Sequence, residues 1–344
     1  MEQLLVQSRG LRFAYRQQGT GEPVVLIHGF PETSYEWRHQ MPALAEAGYA
    51  CFAPDTRGFG GTDKPGARVS RALLARDIAD FMDAVGIEKA VVIAHDWGGI
   101  IGSKFALDYP ERVTKLALLD TLVTVWAPGA VHGYWFKAEP LPEAFFAEHA
   151  AGFIETIFAG GSEPALPGRP QSPWRGGGGA VPVWATPEDV AHYRDAFADP
   201  DSHFHAISYY RYGLPFHRVI ADESVASGER YESLGETQVA EMWLHPHGLE
   251  QHPLYAEYMD YGPEDRHKRY PGPTLWMYGR YLARSRVGET EGTPDNLIPS
   301  GNPFADQFSR YFPDLRAQRV NAGHFFPEEA PEFTNERLLE FLGK

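Results

Sequence analysis

The sequence predicts an α/β fold, a mostly parallel sheet flanked by helices and interrupted by a helical insertion. Three observations lead there. Short apolar runs alternate with amphipathic stretches up to about residue 123, which is the grammar of a parallel sheet covered on both faces. From residue 124 that alternation stops, and aromatic residues, His, Gly and Pro become dense. Near Pro271 the strand and helix signals resume and run to the C-terminus. The expected organisation is one discontinuous domain, residues 1–123 and 271–344, with a helical cap, residues 124–270, inserted between two of its strands.

Leu11 to Arg16 alternates as a half-buried strand does, whereas PVVLIHGF is a continuous apolar run ended by glycine, as in a strand buried on both faces. WRHQMPALAEAG reads as a helix stopped by Gly48, YACFAPD as a strand, and SRALLARDIADFMDAVG as an amphipathic helix stopped by Gly86. KAVVIAH is the next strand, GGIIGSKFALDYP a helix ended by Pro110, and VTKLALLD another strand. Within the insertion, WFKAEPLPEAFFAEHAAGFIETIFAG, TPEDVAHYRDAF and HFHAISYYRYGLPFHR read as helices. The Gly- and Pro-rich stretch from 160 to 184 is expected to be a mobile loop. PTLWMYG, ADQFSRYFP, LRAQRV and PEFTNERLLEFLG close the chain as strand, helix, strand and helix.

With 344 residues, 43% hydrophobic and 22% charged, the chain can bury a large core. Its formal net charge of −15, from 46 acidic and 31 basic residues, repels nucleic acid and anionic membrane surfaces, so a small neutral partner is expected. Cys51 is the single cysteine and is expected in the core; no intrachain disulfide can form. No apolar stretch has the length of a signal peptide or a membrane span, and the expected compartment is the cytoplasm. The pairs His203 with His205 and His245 with His247, together with His252, lack a carboxylate or Cys that would complete a metal site, so no metal is expected.

The stretch VVIAHDWGGI carries the chemistry. Small residues Ala94 and Gly98 flank Asp96 by two positions, a spacing that lets a strand turn sharply into a helix and project the middle side chain above the sheet. Serine usually stands at such a tip. After an earlier predicted strand, HGFPETSYEW offers the Phe30 N–H beside that of Trp97 as an oxyanion hole. After the last predicted strand, NAGHF places His324 on a loop that can reach back to Asp96. A carboxylate attacking an acyl carbon would give a labile anhydride, but at a saturated carbon it gives a stable alkyl ester that water must then cleave. His324 is the expected general base for that second step.

These stretches, with HGFPETSYEWRHQMPALAEAGYACFAPDTRGFGGTDKP and GHFFPEEAPE, resemble the α/β-hydrolase family in its epoxide hydrolase and dehalogenase branch, over essentially the whole chain. The resemblance implies an α/β-hydrolase fold and a hydrolase of ether bonds that needs no cofactor. Its substrates would be an apolar epoxide and water, in a monomer or homodimer. Most relatives place the triad acid after the strand corresponding to PTLWMYG, but here Arg280-Tyr281-Leu282-Ala283 follows. Some relatives carry it after the strand that follows the nucleophile helix, in a motif similar to LALLDT, which implies Asp120; Glu289, Glu291 and Asp295 are the alternatives.

Epoxide opening expels an alkoxide and needs proton donors, and the family uses lid tyrosines for this. Tyr210, in SYYRYG, matches the second donor through its Tyr-Arg pair. The first is Tyr134 or His132 in HGYWFKAEP, with Trp135 among the substrate-binding residues. Fluoroacetate dehalogenases hold the substrate carboxylate with arginines just after the nucleophile, where this chain has Trp97 and Ile100. One group of haloalkane dehalogenases has Asn at the place of Phe30. Dehalogenation is therefore the alternative reaction, and a non-catalytic ligand-binding role is a third.

Overall fold

The computed structural model describes residues 2–123, 131–137, 139–158, 184–214, 265, 267–283, 292–300 and 303–344, without the side chains of residues 131, 134, 281 and 303. The Gly- and Pro-rich loop of residues 160–183, His245, His247, His252, Glu289 and Glu291 lie outside the described residues.

Eight strands form one sheet in the order β1-β2-β4-β3-β5-β6-β7-β8. They are β1 (Leu4–Ser8), β2 (Leu11–Gln18), β3 (Glu22–Ile27), β4 (Tyr49–Pro54), β5 (Ala90–His95), β6 (Val113–Leu119), β7 (Thr274–Tyr278) and β8 (Leu315–Arg319). The β1–β2 and β2–β4 pairs are antiparallel and all the others parallel. Alternation along the central strands fills two cores. Val25, Ile27, Val92, Ala94, Leu116 and Leu118 point to one face, and Val24, Leu26, Val91, Ile93, Ala117 and Leu119 to the other.

Helices cover both faces: α1 (Gln40–Glu46), α2 (Arg71–Ala84) and α3 (Asp96–Asp108) connect the first strands, α9 (Pro303–Tyr311) lies between β7 and β8, and α10 (Phe326–Glu329) and α11 (Pro331–Leu342) follow β8. Local chemistry sets their ends. Ser70 caps α2 by accepting the Leu73 N–H, and Gly343 ends α11 in the left-handed conformation. Strand β1 is not among the expected elements. It is a short edge strand of alternating half-burial whose LLVQS pattern carries little signal without its partner β2.

Between β6 and β7 lie α4 (Val131–Lys137), α5 (Leu141–Phe158), α6 (Pro187–Ala196), α7 (Pro200–Ser208) and a π-helical turn (Tyr209–Gly213); a short α8 (Arg280–Leu282) follows β7. A capping box of Thr186 and Asp189 starts α6. The expected single helix from His203 onward is α7 passing into the π turn, a change of pitch that periodicity does not reveal. Two of these helices are tied to the sheet domain. On α6, Asp189 accepts hydrogen bonds from Tyr35, and Tyr193 donates to Glu328; on α7, Ser208 accepts the Val69 N–H. No helix among the described residues is long and apolar enough to cross a membrane.

Candidate active site

Strands β5 and β6 end side by side, with His95 in register with Leu119, so the next residues, Asp96 and Asp120, emerge together at the carboxyl edge of the sheet. Ligands bind at this edge in open parallel sheets. Both aspartates sit in the left-handed region, φ 46° and 40°, which non-glycine residues rarely adopt and which costs roughly 1–3 kcal/mol each. The turn at Asp96 tolerates nothing larger than glycine at position 98, because a Cβ there would lie 2.1 Å from the Ile27 carbonyl oxygen.

The Phe30 N–H donates to Asp96 Oδ1 at 2.9 Å, and Asp96 Oδ2 lies 3.4 Å from His324 Nε2. The other ring nitrogen, His324 Nδ1, is 2.5 Å from Asp120 Oδ2, while Asp120 Oδ1 accepts the Gly279 N–H at 2.5 Å. Asp120, 204 residues from His324 in sequence, thus stands beside Gly279, at the end of the strand where most relatives place the acid. Of the alternatives, Asp295 is exposed and pairs with Arg319 instead. The Trp97 N–H belongs to the first turn of α3, where amides lack intrahelical acceptors.

Charge follows geometry. Burial alone would raise the Asp96 carboxyl, but the neighbouring His324, His95 and the Phe30 N–H hold it below the usual carboxylate range. Burial pulls His324 down, yet its hydrogen bonds to Asp120 and Asp96 prevail and leave it at about 9. These shifts favour an aspartate–imidazolium pair at neutral pH.

A second, deeper layer has no counterpart among the expected site residues. His95 is fully buried, with Nδ1 3.1 Å from Glu32 Oε2 and 3.0 Å from Glu36 Oε1, and Nε2 3.0 Å from the His324 carbonyl oxygen. Both ring nitrogens face acceptors. Despite burial, Glu36 and Glu32 raise the imidazole well above its usual value. Glu328, also buried, binds Arg38 and Tyr193. Burial and Glu36 push Glu32 up to about 7. A Glu32, Glu36, His95 cluster has the ligand types to hold a metal, with ligand atoms within 4.8 Å, and His95 Nδ1 lies against both carboxylates. In a sequence such residues read as ordinary surface charges; the signal was two glutamates four apart directly after a buried strand.

Above Asp96 stands an aromatic wall. The Phe30 ring meets Phe59, Phe136, Phe153, Phe197 and Tyr210. Tyr210 is buried, stacked on Phe136 at 4.1 Å and edge-on to Trp97 at 5.1 Å. Burial and the Asp96 charge raise its phenol well above 10, although Trp97 lowers it in part, so it keeps its proton at neutral pH. The ring of His132, on α4, lies 5.8 Å from that of Tyr210. The Tyr134 side chain lies outside the described residues. Trp135 packs on Phe136, Phe145 and Phe146, within the helical layer rather than against Asp96. His203 and His205 do not converge: the first faces the Phe197 carbonyl, the second that of Pro65.

A strand-to-helix turn carrying Asp96, within a sheet of this order and direction, defines the class of the α/β hydrolases. Residues 22–162 match the model of the alpha/beta hydrolase fold. A soluble epoxide hydrolase of Corynebacterium sp. (strain C12) is 36% identical over 342 residues, covering 97% of this chain and 94% of that protein. Epoxide hydrolase A of Mycobacterium tuberculosis is 44% identical over 120 residues, 34% of this chain and 37% of that protein. The matched stretches span 39%, 24%, 37% and 21% of the lengths of the first four curated relatives. In fold, a solved epoxide hydrolase from an endophytic Streptomyces gives a TM-score of 0.69 at 23% identity, covering 99% of this chain and 95% of that one. The chain belongs to the α/β-hydrolase family, in the branch that includes the soluble epoxide hydrolases.

Proposed function

We propose that this protein is an epoxide hydrolase that converts an apolar epoxide to a vicinal diol through a covalent ester on Asp96. The observation that carries this reading is the Asp96 carboxylate at the turn, held by the Phe30 N–H at 2.9 Å and 3.4 Å from His324 Nε2, with the buried Tyr210 phenol near enough for its charge to act on it. The near full-length likeness to a protein named soluble epoxide hydrolase supports it. In this reading residues 124–270 form a cap over the site carried by residues 1–123 and 271–344.

The carboxylate attacks a ring carbon and the C–O bond breaks. The leaving alkoxide takes a proton from Tyr210, with His132 as the second donor; its ring beside Tyr210 favours it. His324 Nε2 returns its proton to the Tyr210 phenolate, and water then attacks the Asp96 carboxyl carbon and gives a proton to the freed nitrogen, which Asp120 holds in register through Nδ1. The N–H groups of Phe30 and Trp97 steady the tetrahedral oxyanion, which collapses to release the diol and regenerate the carboxylate.

The aromatic wall suits a substrate with an apolar, aryl-sized substituent. Supplied with styrene oxide and, separately, a bromoalkane of similar size, the protein is expected to form diol from the first and to release little bromide from the second. Bromide release at a comparable kcat/KM would replace this reading with dehalogenation, and neither product would favour a ligand-binding role. Tyr210→Phe is expected to slow ester formation by about 10²-fold, a typical loss for a general acid. Stopped-flow alkylation at the wild-type rate would remove Tyr210 from the donor role.

A further inference from the structure

Tyr210 sits on the π turn Tyr209–Gly213, and His132 on α4. A π turn is rare and weakly self-supporting, so something outside it must hold its shape. On its outer side the Tyr210 turn faces a groove of about 820 Å³ that Phe146, His203 and Tyr212 line. The sheet domain reaches the turn at two places: Arg68 lies 4.6 Å over the Tyr212 ring, and the Tyr209 hydroxyl donates to the Arg57 carbonyl at 2.8 Å. Polar contacts of two basic side chains tie the turn to α4 as well. Lys137, on α4, donates from Nζ to the Arg211 carbonyl oxygen in the π turn at 3.1 Å. Arg211 in return donates from Nη2 to the Phe136 carbonyl oxygen on α4 at 3.3 Å. Each side chain thus caps a backbone carbonyl of the other's element. The guanidinium is further gripped by Glu143 of α5, Nη1 to Oε1 at 2.5 Å and Nη2 to Oε2 at 3.2 Å, in a fork that fixes its plane. Between the two backbones, Tyr210 and Phe136 stack at 4.1 Å with their planes 5° apart.

We propose that Lys137 and Arg211 are positioning residues, a reciprocal brace that fixes the π turn against α4 and so sets where the Tyr210 hydroxyl stands over Asp96. The inference rests on the reading of Tyr210 as a proton donor. Its logic is local: proton transfer to a leaving oxygen demands a donor placed to within a fraction of an ångström, and a π turn with loose carbonyls cannot supply that. The brace touches neither Asp96 nor His324 nor Asp120. Its effect therefore falls on the step that uses the donor and leaves the step that uses water alone. Burial and the neighbouring Arg211 charge also bring the Lys137 ammonium down to about 7, which fits a close, enclosed contact between the two cations.

The test separates the two chemical steps by rapid quench, following ester on the intact protein by mass and diol by chromatography. Lys137→Met, which keeps the apolar stem and removes the donor, and Arg211→Gln are each expected to slow ester formation about tenfold, less than outright loss of the donor would. Decay of the ester, once formed, should stay within about twofold of wild type, since a loosened cap alone has no reason to spare one step. Lys137→Arg, which restores a donor of similar reach, should recover most of the rate. An epoxide whose alkoxide is a better leaving group should be slowed less than styrene oxide. Ester formation at the wild-type rate in both variants, with Tyr210→Phe still slow, overturns the brace and leaves the donor assignment standing. Equal slowing of formation and decay also overturns it. If Tyr210→Phe itself is not slow, the donor reading fails first.

Discussion

With His324 replaced by glutamine, the protein is expected to take up one equivalent of epoxide and stop, holding it as an ester on Asp96. The reason lies in how the charge of the site changes during a turnover. In the resting protein the hydrogen bonds to Asp120 and Asp96 leave His324 at about 9, so at neutral pH it carries a proton and pairs with the nucleophile. Alkylation turns Asp96 into a neutral ester and removes one of the two carboxylates. The imidazole pKa then falls, Nε2 gives up its proton to the Tyr210 phenolate left by ring opening, and the ring becomes a base when water must be activated. Glutamine has no titratable nitrogen, so the attack on the ester loses its base, at a cost of about 10³-fold or more in steady-state turnover. Intact-protein mass spectrometry should show the protein plus one substrate mass, persisting for hours. A variant that turns over at the wild-type rate with no adduct would remove His324 from the mechanism.

Removing the nucleophile is expected to cost still more. Asp96→Asn keeps the side-chain shape and the left-handed turn, φ 46°, that asparagine also tolerates, but loses the negative charge that the Phe30 N–H and the two nearby histidines hold in place. Turnover should fall about 10⁴-fold or more, with no adduct at all. The same claim can be tested without mutation by a single turnover in water enriched in oxygen-18. The oxygen entering the first diol comes from the Asp96 carboxylate and is unlabelled, while the protein acquires the label for the next cycle. Label in the first diol would mean that water attacks the epoxide directly and would sink the covalent route.

The extent to which this site was legible varies residue by residue. Asp96 was visible because small residues on both sides of a nucleophile, between an apolar run and a helix, leave a short contiguous trace. Cys51 is buried, as its place in an apolar strand predicts. Asp120 was reachable only through resemblance to relatives, since nothing local distinguishes it from a turn residue at a strand end. Its partner His324 stands 204 positions away. Glu32, Glu36, His95 and Glu328 went unread because a charged residue is most often solvated, and mutual neutralisation inside a protein is invisible until the partners are known. The Tyr-Arg pair is visible in the sequence, but the contacts of Arg211 to Phe136 and Glu143 cross from one helix to another and leave no local trace.

The alternation of strand and helix, the covered parallel sheet, the turn at Asp96 and the choice of a carboxylate over serine are all local properties. Continuous apolar runs must be buried on both faces, and the chemistry proposed for Asp96 follows from its own side chain. The pairing of Asp120 with His324, the burial of His95 against Glu32 and Glu36, and the placing of His132 and Lys137 around Tyr210 depend on which strand ends and helix faces meet. Those meetings are set by sheet order and packing across long stretches of chain, where interactions are strong because water is absent and the partners lie far apart in sequence.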